Sequence, residues 1–406
     1  MNLFILSKTL LKSEGDSYSK PIVRISVAAV ALGVILMLFA LFITAGYKAV
    51  IRDKMVSMGA HIRISSVEQN YSFDLLPFAR NQEFVEELSR NPHIQNMQFY
   101  ATKVGILKTQ NQVEGIVLKG IDSTFSWKLF EPHIVAGNPL PAGNADSISN
   151  KIIISKTLAS KLQLKVGDKV SAYFIQEPPR HRSFVVEGIY QTDLPEMDTR
   201  FVLTNLPQVQ KLNHWDSTQV SGIEILIDDF GLIDEIGLKI HNEIPYTLKA
   251  ETIKQLYPNF FEWLALSDTN AIVLLIITIF ICIITMISTF FIIILEQTKS
   301  IGILKTLGLN HKKIVHLFLI IASRLILRGL LWGNIIGIGI SILQMTLHLI
   351  PLDPATYFVS YIPISISLFT IVWVNMLVFS ACLMALLLPA YYISKRISPV
   401  EALRSE

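Results

Sequence analysis

Four long apolar stretches punctuate the chain. The first, Ile25 to Tyr47, contains no charged residue and, at a helical rise of about 1.5 Å per residue, is long enough to cross the hydrocarbon core of a bilayer. Comparable stretches run from Ala271 to Leu295, from Ile314 to Ile350 and from Ile362 to Ile393. The third is longer than a bilayer requires, which places its beginning in the cytosol or the interface. Residues 48–268, between the first two stretches, follow a different pattern. Short or period-two apolar runs separated by Pro, Gly and Asn predict strands at His61–Val67, Val104–Thr109, Val113–Gly120, Lys151–Ser155, Lys169–Phe174, Phe184–Gln191, Phe201–Thr204 and Ser221–Ile227. Helical spacing recurs at Gln82–Asn91, where Phe84, Val85 and Leu88 share one face, and at Lys156–Leu162 and Phe230–Glu243. The expected fold is a membrane α-helical protein, with four transmembrane helices and a large mixed α/β extracytoplasmic domain inserted between helices 1 and 2. Within the insertion, a mixed subdomain from 48–100 and 205–265 is interrupted by a β-rich one at 101–204.

Composition agrees with a membrane protein: of 406 residues 51% are hydrophobic and 17% charged, and the mean hydropathy is +0.48. Lys and Arg set the orientation, because the side richer in them stays cytoplasmic. Residues 1–24 carry Lys8, Lys12, Lys20 and Arg24, the 296–313 segment carries Lys299, Lys305, Lys312 and Lys313, and the 394–406 tail carries Lys395, Arg396 and Arg404, whereas 351–361 has neither Lys nor Arg. Both termini and 296–313 are therefore expected in the cytoplasm and 48–268 outside it, where 22 basic and 26 acidic residues suit a solvated domain. A cleavable signal peptide ending near Thr44 and Gly46 is the rival reading of the first stretch, but its h-region would be only about 7 to 15 residues long. An overall charge of +3 is too small to neutralise a phosphate backbone, so no nucleic-acid partner is expected.

Chemistry is sparse. The two cysteines, Cys282 and Cys382, lie in apolar runs and build neither a disulfide framework nor a Cys-based zinc site. No GxxxxGK[ST], HExxH or GxSxG occurs, and Lys119-Gly120 lacks the spacing of a phosphate loop. No catalytic residue, metal site or cofactor of the chain's own is expected. Two charges interrupt the third span, Arg324 and Arg328. They lie on one helical face, either snorkelling to the inner headgroups or meeting a partner.

After the second span the chain reads EQTKSIGILKTLGLNHKK, Glu296 to Lys313. Ile301, Leu304 and Leu307 recur at helical spacing and Gly308 can end the helix. An interfacial helix on the inner leaflet is the plainer alternative. The segment resembles a pattern of the ABC-transporter permeases of the macrolide-exporter and lipoprotein-releasing superfamily, matching at Glu296, Ile301, Gly302, Leu304, Lys305, Leu307 and Gly308 and departing at Ser300. The third span, with Phe318, Ala322, Gly329, Gly333 and Gly337, looks like that family's small-residue helix, in which close helix approach is the role. The tail resembles the family's cytosolic ending at Pro399, Glu401, Ala402, Leu403 and Arg404. In the external region, Leu158–Val170, Ser183–Asp198 and Tyr257–Leu266 look like the lipoprotein-releasing (LolC/LolE-type) branch.

The resemblance implies one permease half in a bacterial inner membrane. Its partners would be a cytoplasmic ABC ATPase dimer that binds the ATP, a second permease, identical or paralogous, membrane lipids, a lipoprotein substrate and a periplasmic lipoprotein carrier. ATPase coupling would fall to Glu296, Lys299, Ile301, Gly302, Leu304, Lys305, Leu307 and Gly308, and force would pass by mechanotransmission. Pro178, Pro179 and Arg180 are candidates for a carrier-binding loop, against an ordinary hairpin turn. Met37, Phe39 and Phe42 with Met286, Phe290 and Phe291 are candidates for a lipid path, against ordinary packing. Two other functions stay open: efflux or secretion of the macrolide-exporter type, and division-type regulation of cell-wall hydrolases.

Overall fold

A computed structural model describes residues 19–67, 76–80, 82–140, 148–306 and 309–396. The chain forms two compact units, one of Met1–Ala49, Leu264–Pro351 and Tyr361–Glu406, the other of Val50–Trp263 and Leu352–Ser360. Helix α1 spans Ser19–Gly59, well past the apolar run that ends at Tyr47. Nothing breaks it there: Ile51, Met55, Val56 and Met58 continue a buried stripe while Asp53 stays exposed. It stops where Ala60 adopts a left-handed backbone (φ 57°) and its N–H bonds Val56 O at 2.8 Å.

The sheet unit is built on β1 (Ile62–Ser66), β2 (Phe78–Ala79), β3 (Ile94–Lys108), β4 (Val113–Ile121), β5 (Ile134–Gly137), β6 (Lys151–Ser155), β7 (Lys169–Phe174), β8 (Arg180–Tyr190), β9 (Phe201–Asn205), β10 (Gln219–Val220), β11 (Gly222–Ile227) and β12 (Leu248–Thr252). Ten of these form one mixed sheet ordered β12-β1-β11-β3-β4-β9-β6-β8-β5, and β7 bridges β3 to β8. The path β3-β4-β9-β6-β8-β7 thus returns to β3 and closes a ring, from which β11, β1 and β12 extend as an arm. β3 serves both parts, through Tyr100 and residues before it for β11 and through Tyr100 to Lys108 for β4. The two expected subdomains therefore share one strand and one sheet. β3 begins well before Val104 because its early residues hide a polar pair: Gln98 is buried and its Nε2 donates to Glu224 Oε2 at 2.9 Å. That polar position breaks the alternation that marks a strand in sequence. Among the described residues, helices that pack on the sheet include α2 (Glu83–Ser89), α3 (Lys156–Leu162), α4 (Leu206–Asn213) and α5 (Ile233–Glu243). Ser155 caps α3 by accepting Leu158 N at 3.0 Å.

The helical unit contains α6 (Pro258–Glu296, from Leu264 onward), α7 (Thr298–Thr306), α8 (His311–Leu347) and α9 (Leu368–Arg396). Among the described residues, four helices are long and apolar enough to cross a membrane: α1, α6, α8 and α9. Their core interleaves Val34 and Phe42 of α1, Cys282 and Met286 of α6, Phe318 and Leu325 of α8, and Val378 and Leu386 of α9. The apolar run from Ile362 does not begin as a helix. Residues 362–367 carry no regular secondary structure and are held by Gln344 Nε2 on Ile362 O at 3.3 Å and by Ser365 N on Phe42 O at 3.1 Å. They pass so close to α1 that a Cβ on Gly46 would lie 2.6 Å from Pro363 O.

Candidate functional site

The segment expected to couple to an ATPase is a separate short helix between two long ones. α6 ends at Glu296, and Thr298 closes the turn by donating to Leu295 O at 2.7 Å. On α7 Gly302 and Leu304 are buried, Lys305 is half-buried, and Ile303 is 51% exposed. Gly302 and Leu304 thus lie on the covered side of α7, and Ile303 is an open apolar residue. Of the expected stripe Ile301, Leu304 and Leu307, the described side chain is that of Leu304, and it is buried. Lys299 and Ile301 fall within α7, and Leu307 and Gly308 lie outside the described residues, as do Pro399, Glu401 and Arg404 of the tail.

The glycine stripe of α8 meets α1. A Cβ on Gly329 would stand 2.7 Å from Val30 Cβ, and one on Gly333 2.7 Å from Val34 Cβ and 2.9 Å from Ala31 O. At Gly337 the nearest atom is Ile35 Cα at 3.4 Å, an ordinary contact. A further tie has no helical-spacing signature: Asn334 of α8 and Asn375 of α9 exchange amide hydrogen bonds of 2.7 and 3.0 Å. Each is the rare polar residue in an apolar span, which was the available signal. Ser26 and Thr289 bridge α1 to α6 in the same way. On α8, Arg324 is half-buried and Arg328 exposed.

The lipid-path candidates are mostly core. Met37, Phe42, Met286 and Phe290 are buried in the helical unit, and Phe39 alone of that set is half-buried on α1, with Phe291 exposed on α6. In an apolar span every face is hydrophobic, so type alone does not separate packing from exposure. The open face of α6 carries Ile276, Phe280, Ile284 and Phe291.

Residues 175–179 connect β7 to β8. Pro178 and Pro179 are exposed and Ile175 is 81% exposed, an apolar tip on a polar domain. Arg180 is engaged within the chain: its Nη1 donates to Lys211 O at 2.7 Å and its Nη2 meets His214 Nδ1 at 3.1 Å, tying the hairpin to the end of α4. That bond joins residues 31 apart in sequence, which local pattern cannot signal.

Lys119 has a structural role. Its Nζ pairs with Glu224 Oε1 at 2.6 Å, both side chains being nearly inaccessible, and lies 5.3 Å from the Tyr100 ring centroid. Burial pushes the Lys119 ammonium below its ordinary range and the Glu224 carboxylate opposes that shift. His61 accepts Ile227 N on Nδ1 at 3.0 Å; burial, with Arg52 adding to it and Asp53 opposing, lowers its pKa to about 4. Among the described residues no three His, Cys, Asp or Glu side chains are grouped to hold a metal ion.

Comparison with known proteins completes the picture. The chain is 23% identical to the lipoprotein-releasing system transmembrane protein LolC of Xylella fastidiosa, over 94% of this chain and 93% of that protein. It is equally 23% identical to LolC of Neisseria meningitidis, over 95% and 94%, and 20% identical to LolE of Haemophilus influenzae, over 95% and 94%. Residues 272–396 match the FtsX-like permease C-terminal model, and residues 25–240, more than half of the chain, match the MacB-like periplasmic core domain model. The chain belongs to the ABC-transporter permeases that join a MacB-like periplasmic core to an FtsX-like permease region.

Proposed function

We propose that this chain is one permease half of a transporter that extracts lipoproteins from the outer leaflet of the inner membrane and passes them to a periplasmic carrier. The observation that carries this reading is the match to relatives named for lipoprotein release, which runs through the helices and the insertion together. ATP is bound and hydrolysed by a partner ATPase dimer that docks on α7, with Ile303 in the contact. A second permease, identical or paralogous, completes the membrane pathway. The Lys and Arg bias supports termini and α7 in the cytoplasm and the sheet unit in the periplasm.

The lipid path is reassigned to residues that are open. The stripe of Ile276, Phe280, Ile284 and Phe291 on α6, with Phe39 of α1 half-buried, supports entry of acyl chains there, because each buried methylene is worth about 0.8 kcal/mol. The tip formed by Ile175, Pro178 and Pro179 supports carrier capture; a proline pair loses little backbone freedom on binding.

The test is ATP hydrolysis by the purified permease–ATPase complex in lipid nanodiscs. Acylated lipoprotein should stimulate it and the same protein without acyl chains should not. Stimulation by small amphiphilic drugs and not by lipoprotein would replace this reading with efflux.

A further inference from the structure

The chain passes between its two units at 49/50, 263/264, 351/352 and 360/361. Residues flanking all of these passages meet around one side chain of the sheet unit. Lys54, on the part of α1 beyond the apolar run, donates from Nζ to Asp193 Oδ2 at 2.8 Å and to Phe358 O at 2.9 Å. Phe358 belongs to the 352–360 loop between α8 and α9, and its ring stands edge-on to Phe260 and Trp263 at the start of α6, at 5.3 and 6.1 Å between centroids. Asp193 belongs to the loop after β8.

We propose that Lys54 is the positioning residue of a junction that passes movement of the α8–α9 hairpin to the external domain. Each acceptor is held by its own surroundings. Asp193 has a left-handed backbone (φ 61°), its N–H bonds Asp198 Oδ2 at 3.0 Å, and its Oδ1 accepts Gln191 Nε2 at 2.5 Å. Phe358 is likewise left-handed (φ 61°), closing the single turn Pro354–Tyr357 through N–H to Pro354 O at 3.0 Å. That turn is capped by Asp353, which accepts Ala355 N at 3.1 Å and Thr356 Oγ1 at 2.8 Å.

Lys54 thus bridges two stiff segments that are far apart in sequence. The side chains of Lys54 and Asp193 are each only 11% exposed, so water does not readily replace either partner and the bridge resists shear. A load on α8 or α9 reaches 352–360 through the backbone, then Lys54 through the Phe358 carbonyl, and then the β8 side of the sheet through Asp193. The same ammonium stands on α1, so it ties the loop to the end of that helix as well.

The inference rests on the chain being an ATP-driven permease, and not on the identity of its substrate. The test is amide hydrogen exchange of peptides covering 352–360 and 191–198 in the full permease–ATPase complex, resting and trapped with ATP and vanadate. In the wild type both peptides should change on trapping. In Lys54→Met the 352–360 change should persist while the 191–198 change falls at least about fivefold, the lower end of measured coupling factors, and Lys54→Arg should restore it to within about twofold. Asp193→Asn keeps an acceptor but removes the charge; it should give the same loss and serves if Lys54→Met does not assemble. An unchanged 191–198 response in these variants, or a wild-type complex in which 352–360 responds and 191–198 does not, overturns the junction. A wild-type complex that hydrolyses no ATP removes the permease reading itself, and the junction with it.

Discussion

Adding one methyl group at each of three glycines of α8 should produce a graded response. A Cβ at position 333 meets Val34 Cβ at 2.7 Å and Ala31 O at 2.9 Å, and one at 329 meets Val30 Cβ at 2.7 Å. Carbon atoms prefer about 3.5 Å or more, so α1 and α8 must part locally by about 0.8 Å at Gly333→Ala, enough to weaken neighbouring contacts by a quarter to a half. Overpacking of this kind costs about 1–3 kcal/mol. At Gly337 the nearest atom is 3.4 Å away, so Gly337→Ala meets no obstacle and gains up to about 1 kcal/mol of helix propensity. Val34→Ala should not rescue Gly333→Ala, because the Val34 Cβ and the Ala31 carbonyl both remain. Reversible unfolding of the full chain in micelles, followed by steric trapping, measures each difference. Equal losses at 333 and 337, or no loss at 333, would refute the packing of α8 on α1.

Other consequences follow from the same contacts. Ile303→Asp should weaken co-purification of the ATPase by tenfold or more while leaving membrane insertion intact, since burying an Ile side chain is worth about 1.5–3 kcal/mol. Asn334→Leu alone should cost about 0.6 kcal/mol and at most about 1.7, because it strands the Asn375 amide, whereas Asn334→Leu with Asn375→Leu should restore wild-type unfolding. Between pH 7.5 and 4.5 the exchange protection of Ile227 N–H should fall. His61 binds protons less readily folded than unfolded, so its contribution is complete above about 6.5 and is lost as pH drops towards about 4. His61→Gln should flatten that dependence if Ile227 N–H is held through His61 Nδ1, and an unchanged profile would contradict it. Replacing Ile175, Pro178 and Pro179 with Gly or Ser should reduce carrier pull-down without altering ATP hydrolysis.

The four spans were legible because hydrophobic length alone decides whether a helix reaches across a bilayer. Small residues at four-residue spacing point to helix approach, and α1 does come close at Gly329 and Gly333, though not at Gly337. The buried faces of the spans were not legible. Leu36 is exposed and Met37 buried, yet both are apolar, and lipid is as apolar as the core. The same ambiguity put Met286 and Phe290 in a lipid path and hid the open Ile303. A buried polar residue misled in the other direction. Gln98 of β3 is satisfied by Glu224 of β11, so its position breaks the alternation and hid the first half of β3, whereas β4 and β11, which carry Lys119 and Glu224, were legible. The Lys54 bridge joins residues 139 and 304 positions away, and no local pattern foretells a contact of that range.

The most direct test of the proposed function is transfer itself. Acylated lipoprotein is reconstituted with the permease–ATPase complex in proteoliposomes, and a soluble carrier outside is assayed for bound lipoprotein with and without ATP. Lipoprotein release requires ATP-dependent appearance of the acylated form on the carrier, abolished by an ATPase-dead partner. Retention of lipoprotein in the membrane while ATP is hydrolysed at the full stimulated rate would contradict it.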